Sequence, residues 1–121
     1  MEAQLWEASK AGNTELLEKT IRRCQDEGVD INAGNPSRLG STALHYAAWN
    51  GMSASIEILV AAKADVNIQD SWGRRPLHFA SHQGHAWAAD RLIVSRADVN
   101  ARQQMGCTPL HYAAREGHTG T

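Results

Sequence analysis

The stretch "GSTALHYAAWNG", Gly40 to Gly51, returns in altered form as "GRRPLHFASHQG", Gly73 to Gly84, and again as "GCTPLHYAAREG", Gly106 to Gly117. The glycines that open the three copies stand 33 residues apart, and so do those that close them. Between them Leu44, Leu77 and Leu110 coincide, as do His45, His78 and His111, and Ala47, Ala80 and Ala113. Outside them Ala64-Asp65-Val66-Asn67 matches Ala97-Asp98-Val99-Asn100 at the same spacing. A fixed period of this size marks stacked units, none of which can bury its apolar face alone.

Each unit has the grammar of two short helices. Thr108-Pro109 reads as a helix start: the threonine caps free amides and the proline lacks an N–H that would go unused there. His111 lies three residues past that cap and can reach back to it, as glutamate does in a capping box. Gly117 ends the helix where a left-handed residue is needed. That leaves a first helix of about two turns and predicts a second one, for instance Ala54 to Ala62, with Ile56, Leu59 and Val60 on one face. Helices so short are marginal alone, so the array folds as a stack.

The letters "TPLHYAAREGH" and "ADVN" resemble the ankyrin repeat family over nearly the whole chain. The resemblance implies an all-α solenoid of stacked helix-turn-helix units with β-turn or hairpin fingers, here "NIQDSWG" and "ARQQMG". It also implies a single domain: an N-terminal capping repeat with an insertion at 1–39, repeats at 40–72 and 73–105, and a truncated fourth at 106–121.

The first unit is irregular. Leu5, Ala8 and Gly12 match Leu44, Ala47 and Gly51, but Gly12 to Gly40 spans 28 residues where Gly51 to Gly73 spans 22. Four extra residues fall before Asn32 and two after it, in the finger "AGNPSRLG". Glu7, Ser9 and Lys10 make its first helix polar, as expected of an end cap facing water. At the other end the sequence stops where a second helix would begin. This predicts a longer array or an edge covered by another molecule, the chain otherwise being a monomer or self-associating weakly there. Two departures carry a cost. Lys63 and Arg96 stand where the family favours glycine, about 1–2 kcal/mol each if left-handed. Arg75 replaces the capping threonine, about 1 kcal/mol.

Composition narrows the function. Of 121 residues 42% are hydrophobic, enough for a core, and the formal net charge is -1. No basic field invites nucleic acid or a lipid surface. Cys24 and Cys107, without framework spacing, suit a reducing compartment. The start "MEAQLWEASK" lacks the pattern of a secretory signal. The expected location is therefore intracellular, in the cytoplasm, with the nucleus also compatible.

Six histidines raise a metal question. His45, His78 and His111 would stack at about 10 Å, too far apart to share an ion at about 2 Å. His78, His82 and His85 lack an adjacent cysteine or carboxylate. No phosphate-binding glycine loop is present, and Cys107 near His111 lacks an oriented base in a closed site. No metal, cofactor or catalysis is expected. The family resemblance further implies asparagine hydroxylation at Asn67 and Asn100, beside the plainer role of an asparagine bonding its own turn.

What remains is recognition of another protein on the concave face, or service as a regulatory or targeting segment of a larger multidomain protein whose activity lies elsewhere. The positions the family varies there are Leu39, Trp72, Arg74 and Met105 on the fingers, with Tyr46, Trp49, Phe79, His82, Tyr112 and Arg115 on the first helices. Tyr46, Phe79 and Tyr112 admit two roles, contact with a partner or packing between repeats. Trp72, on a finger tip with less core to fill, reads as a contact residue. Arg38, Arg74, Arg75, Arg102 and Arg115 outnumber Asp70 and Glu116, so the expected partner offers acidic and apolar groups.

Overall fold

The structure, a computed structural model, describes residues 2–95. Within them the chain forms six α-helices: α1 (Glu2–Ala11), α2 (Thr14–Glu27), α3 (Ala43–Trp49), α4 (Ser53–Ala61), α5 (Pro76–His82) and α6 (Ala86–Val94). They pair as α1–α2, α3–α4 and α5–α6. The first helices α1, α3 and α5 then pack in one row, and the second helices α2, α4 and α6 in another. This is the all-α solenoid of stacked helix pairs that the resemblance to the ankyrin repeat family implies. Met105, Tyr112, Arg115, Asn100 and the truncated fourth unit lie outside the described residues.

The reason each helix stops is local. In α3 the Thr42 side chain accepts the His45 N–H, while His45 Nδ1 accepts the Thr42 N–H at 3.0 Å. Two otherwise orphaned donors are satisfied reciprocally. Gly51 closes the turn with φ +68. In α5 His78 Nδ1 accepts the Arg75 N–H at 3.0 Å, but no side-chain oxygen caps the helix. Seven residues remain to each of α3 and α5, too few to persist in isolation.

Packing supplies the rest. Leu5, Leu17, Leu44, Ile56, Leu59 and Leu92 are fully buried in one continuous core with Ala47, Ala80 and Ala88. Each large aliphatic residue there contributes about 1.5–3 kcal/mol on leaving water. The alanines let neighbouring rows approach closely. The four residues inserted before Asn32 account for most of the greater length of α2, 14 residues against nine in α4. The rest of the insertion is absorbed by a 3-10 turn at Pro36–Arg38 in the first finger. Ser9 differs from its expected place in water: it is fully buried and its hydroxyl donates to the Leu5 carbonyl at 2.8 Å. That internal bond lets a polar residue occupy the α1 face turned to the stack.

Among the described residues two non-glycine residues have left-handed backbones, Lys63 at φ 73 and Leu39 at φ 59. The first is one of the two sites where the sequence lacks the expected glycine; the other, Arg96, lies outside the described residues. The left-handed Leu39 was not legible, and it sits on a finger tip.

Candidate functional site

The concave side begins with how a finger holds its shape. Asp70, buried with no exposed side-chain surface, accepts the Trp72 N–H and the Arg74 N–H at 2.9 Å each. Its other oxygen accepts Arg74 Nε at 2.8 Å, and its own N–H donates to the Arg74 carbonyl. The carboxylate thus shapes the turn and neutralises the guanidinium in one stroke. Arg74 lies over the Phe79 ring at 4.8 Å and over the Trp72 ring at 5.2 Å.

The finger is also anchored to the preceding repeat. His45 Nδ1 already accepts a backbone N–H, so its proton sits on Nε2 and donates to the Arg74 carbonyl at 2.8 Å. Burial pushes this imidazole down from 6.5 to about 4, outweighing the Arg74 carbonyl that favours a proton. Ser71 N–H donates to the Leu39 carbonyl at 2.7 Å, fastening one finger tip to the next. The first unit has no histidine at the matching position. Trp6 stands there instead, and its Nε1–H donates to the Ala33 carbonyl at 3.0 Å. A different ring supplies the same kind of donor, a substitution that motif matching passes over.

From Arg74 the array continues along the helices. Phe79 meets Trp49 edge-on at 5.5 Å, and Trp49 stacks on His82 at 5.6 Å. Phe79 is 6% exposed and forms a floor, whereas Trp49 at 38%, Leu39 at 42% and Trp72 at 46% stand into solvent. Tyr46 is half-buried, its hydroxyl accepting from Asn35 Nδ2 at 3.0 Å. A groove of about 370 Å³ runs between Leu39 and Trp49, with Tyr46 and Phe79 below it and Arg38 and Arg74 at its edge. A second recess of about 400 Å³ shares Arg38, Tyr46 and Trp49 and extends to Trp6, Glu7 and Lys10 on α1.

Leu39, Tyr46, Trp49, Arg74 and Phe79 are therefore brought together. His82 reaches the array through Trp49, and Trp72 through Arg74. The charge inventory differs from the expected one, because Asp70 consumes the charge of Arg74. Arg38, exposed on the first finger, is the arginine of this groove with no ion pair among the described residues. Asn67 is half-buried. Its counterpart Asn32 does not bond its own turn: its side-chain oxygen accepts the Asp65 N–H of the next repeat at 2.9 Å. The turn itself is closed by aspartate, Asp30 accepting from Asn32 and Asp65 from Asn67.

Among the described residues no group of three or more histidine, cysteine, aspartate or glutamate side chains is placed to hold a metal ion. No described helix is long and apolar enough to cross a membrane.

The chain matches a family model described as ankyrin repeats (3 copies) over residues 5–103 and again over 48–121. It is 39% identical over 71 residues to a mitochondrial disaggregase of Bos taurus, covering 59% of this chain and 10% of that protein. The human protein of the same name gives 39% over 71 residues and 9% of its length. A putative glutaminase 2 of Caenorhabditis elegans is 41% identical over 58 residues, 47% of this chain and 9% of that one. The chain thus spans about a tenth of the length of these relatives.

Proposed function

The chain belongs to the ankyrin-repeat family, and from that premise we propose that it recognises another protein through the groove between its first two fingers, without chemistry of its own. The observation that carries this reading is the rim: Leu39, Trp49 and Trp72 leave large apolar surface in water beside a recess of about 370 Å³. Aromatic side chains around a pocket dominate the energetics of protein interfaces. Leu39 supports it further, since its left-handed backbone at φ 59 is a strained way to present a side chain. A fitting partner places an apolar side chain in the recess and a carboxylate on Arg38. Rigid finger-to-finger bonding leaves little to be ordered on docking.

The test is affinity capture with the wild type beside a Leu39→Gly, Trp72→Ala double variant. Both side chains are exposed, so helical circular dichroism should be unchanged. Loss of the protein that the wild type retains is expected. Equal capture by both forms removes this groove from consideration.

A second reading has a separate support. The relatives bear the names of a disaggregase and a putative glutaminase, and this chain aligns with only about a tenth of each. The same residues would then be a targeting or regulatory segment within a longer polypeptide. The length of the natural open reading frame decides between a free-standing module and such a segment.

A further inference from the structure

The convex side carries a feature that the groove does not use. On α6, Trp87 is 80% exposed and Val94 66% exposed, seven residues apart on one helical face. Their counterparts one period earlier, Ala54 and Ala61 of α4, are exposed although α6 packs beside α4. On α4 these positions therefore face outward even with the following repeat's helix packed alongside. Between the two apolar rows runs a row of carboxylates, Glu57 on α4 and Asp90 on α6. Arg91 lies between them, 3.3 Å from Glu57 and 3.1 Å from Asp90. One arginine against two carboxylates leaves the strip with net negative charge.

We propose that this strip is a second docking surface, and that it takes a basic amphipathic helix of a partner protein. Apolar side chains of that helix cover Trp87 and Val94, and its lysines or arginines meet Glu57 and Asp90. A second copy of this chain is a poorer occupant for two reasons. The unbalanced carboxylate would face its own image across a two-fold axis. The apolar area, on the order of 300 Å², also falls well short of the roughly 800 Å² per partner of a stable dimer interface, and suits a single helix bound transiently.

The probe is a synthetic amphipathic helix of leucine and lysine, with a leucine–glutamate peptide of the same pattern as control. Binding is read by the Trp87 indole N–H in nitrogen-15 correlation spectra, assigned with Trp87→Phe. The lysine peptide should shift this resonance, and more weakly at higher salt. A Glu57→Gln, Asp90→Asn variant should bind it about fivefold less tightly, two exposed ion pairs being worth about 1 kcal/mol together. Trp72→Ala, on the opposite face, should leave affinity unchanged. Equal affinity for the glutamate peptide, undiminished binding by Trp87→Ala, or self-association of the protein alone through Trp87 would each overturn the proposal.

Discussion

Replacing Gly51 by alanine isolates how much one repeat leans on the next. Gly51 joins α3 to α4 at φ +68, and a Cβ built there would lie 2.7 Å from His85 Cγ and Nδ1. Those atoms are at the root of the imidazole, so the ring cannot swing clear without leaving its rotamer. Its Nε2–H also donates to the Trp49 carbonyl at 3.0 Å, a bond the displaced ring would lose. Gly28 supplies the reference, with φ +72 and nothing within 4 Å of its added Cβ. Left-handed strain costs about 1–2 kcal/mol in either place, less about 0.4–1 kcal/mol from a stiffer unfolded chain. Gly28→Ala should therefore destabilise by about 1 kcal/mol. Gly51→Ala should add about 1 kcal/mol for the hydrogen bond and about 1–3 kcal/mol for overpacking. Gly12→Ala belongs between them, because the atom met at 2.6 Å is the sulfur of Met52, near the end of a flexible side chain. Urea titrations followed at 222 nm rank the three. In a His85→Ala background the excess cost of Gly51→Ala should vanish. Equal destabilisation by Gly28→Ala and Gly51→Ala, or an excess that survives His85→Ala, would refute the reasoning.

His45 makes stability depend on acid. Its folded-state value of about 4 lies below the ordinary 6.5, so between these the unfolded chain binds the extra proton. Stability contributed by the neutral imidazole is complete above pH 6.5 and falls as pH drops toward 4. The loss approaches about 3 kcal/mol. Urea midpoints between pH 7 and 4.5 should decline less steeply for His45→Gln than for the wild type. Lys63→Gly should raise the midpoint by an amount equivalent to about 1 kcal/mol, by relieving a left-handed backbone on an exposed residue. Asp70→Ala should cost about 3 kcal/mol, since it strands Arg74 and two finger amides that the buried carboxylate now satisfies. Thermal melts at pH 7 check both.

The fold was legible because its signal is repeated. One copy of "LHYAA" flanked by glycines is weak, whereas three in register leave little choice of architecture. The short first helices, the threonine–histidine cap and the left-handed Lys63 all followed from which letters recur and which break the recurrence. The candidate site was legible only as a set of positions. Sequence order could place Leu39, Trp49 and Trp72 on one side of the stack. It could not show that Phe79 would be the floor and Trp49 the wall, because that depends on depth rather than on phase. Nor could it show that Asp70, rather than a partner, would take the charge of Arg74. That pairing needs the turn to bring residues 70 and 74 together, and the turn is itself made by the pairing. Trp6 escaped for a related reason: in the first unit it does, with a different ring, a job that His45 does in the next.

The bonds that cross from one repeat to the next explain why the groove can vary while the stack does not. His45 to Arg74, Leu39 to Ser71 and Asn32 to Asp65 all end on backbone groups of the following unit. Finger spacing is therefore set by main-chain acceptors and donors whose geometry does not depend on the side chains between them. Leu39 and Trp72 occupy equivalent finger positions, as Trp49 and His82 occupy equivalent helix positions, yet neither pair shares a residue type. Their side chains project from a frame fixed by neighbours that do recur, so exchanging them changes what the rim can hold without removing an inter-repeat bond. The exception is Phe79, where His45 packs at 5.1 Å and Arg74 at 4.8 Å. A change there moves the finger anchor and the recess together, so that position couples the stability of the stack to the shape of its groove.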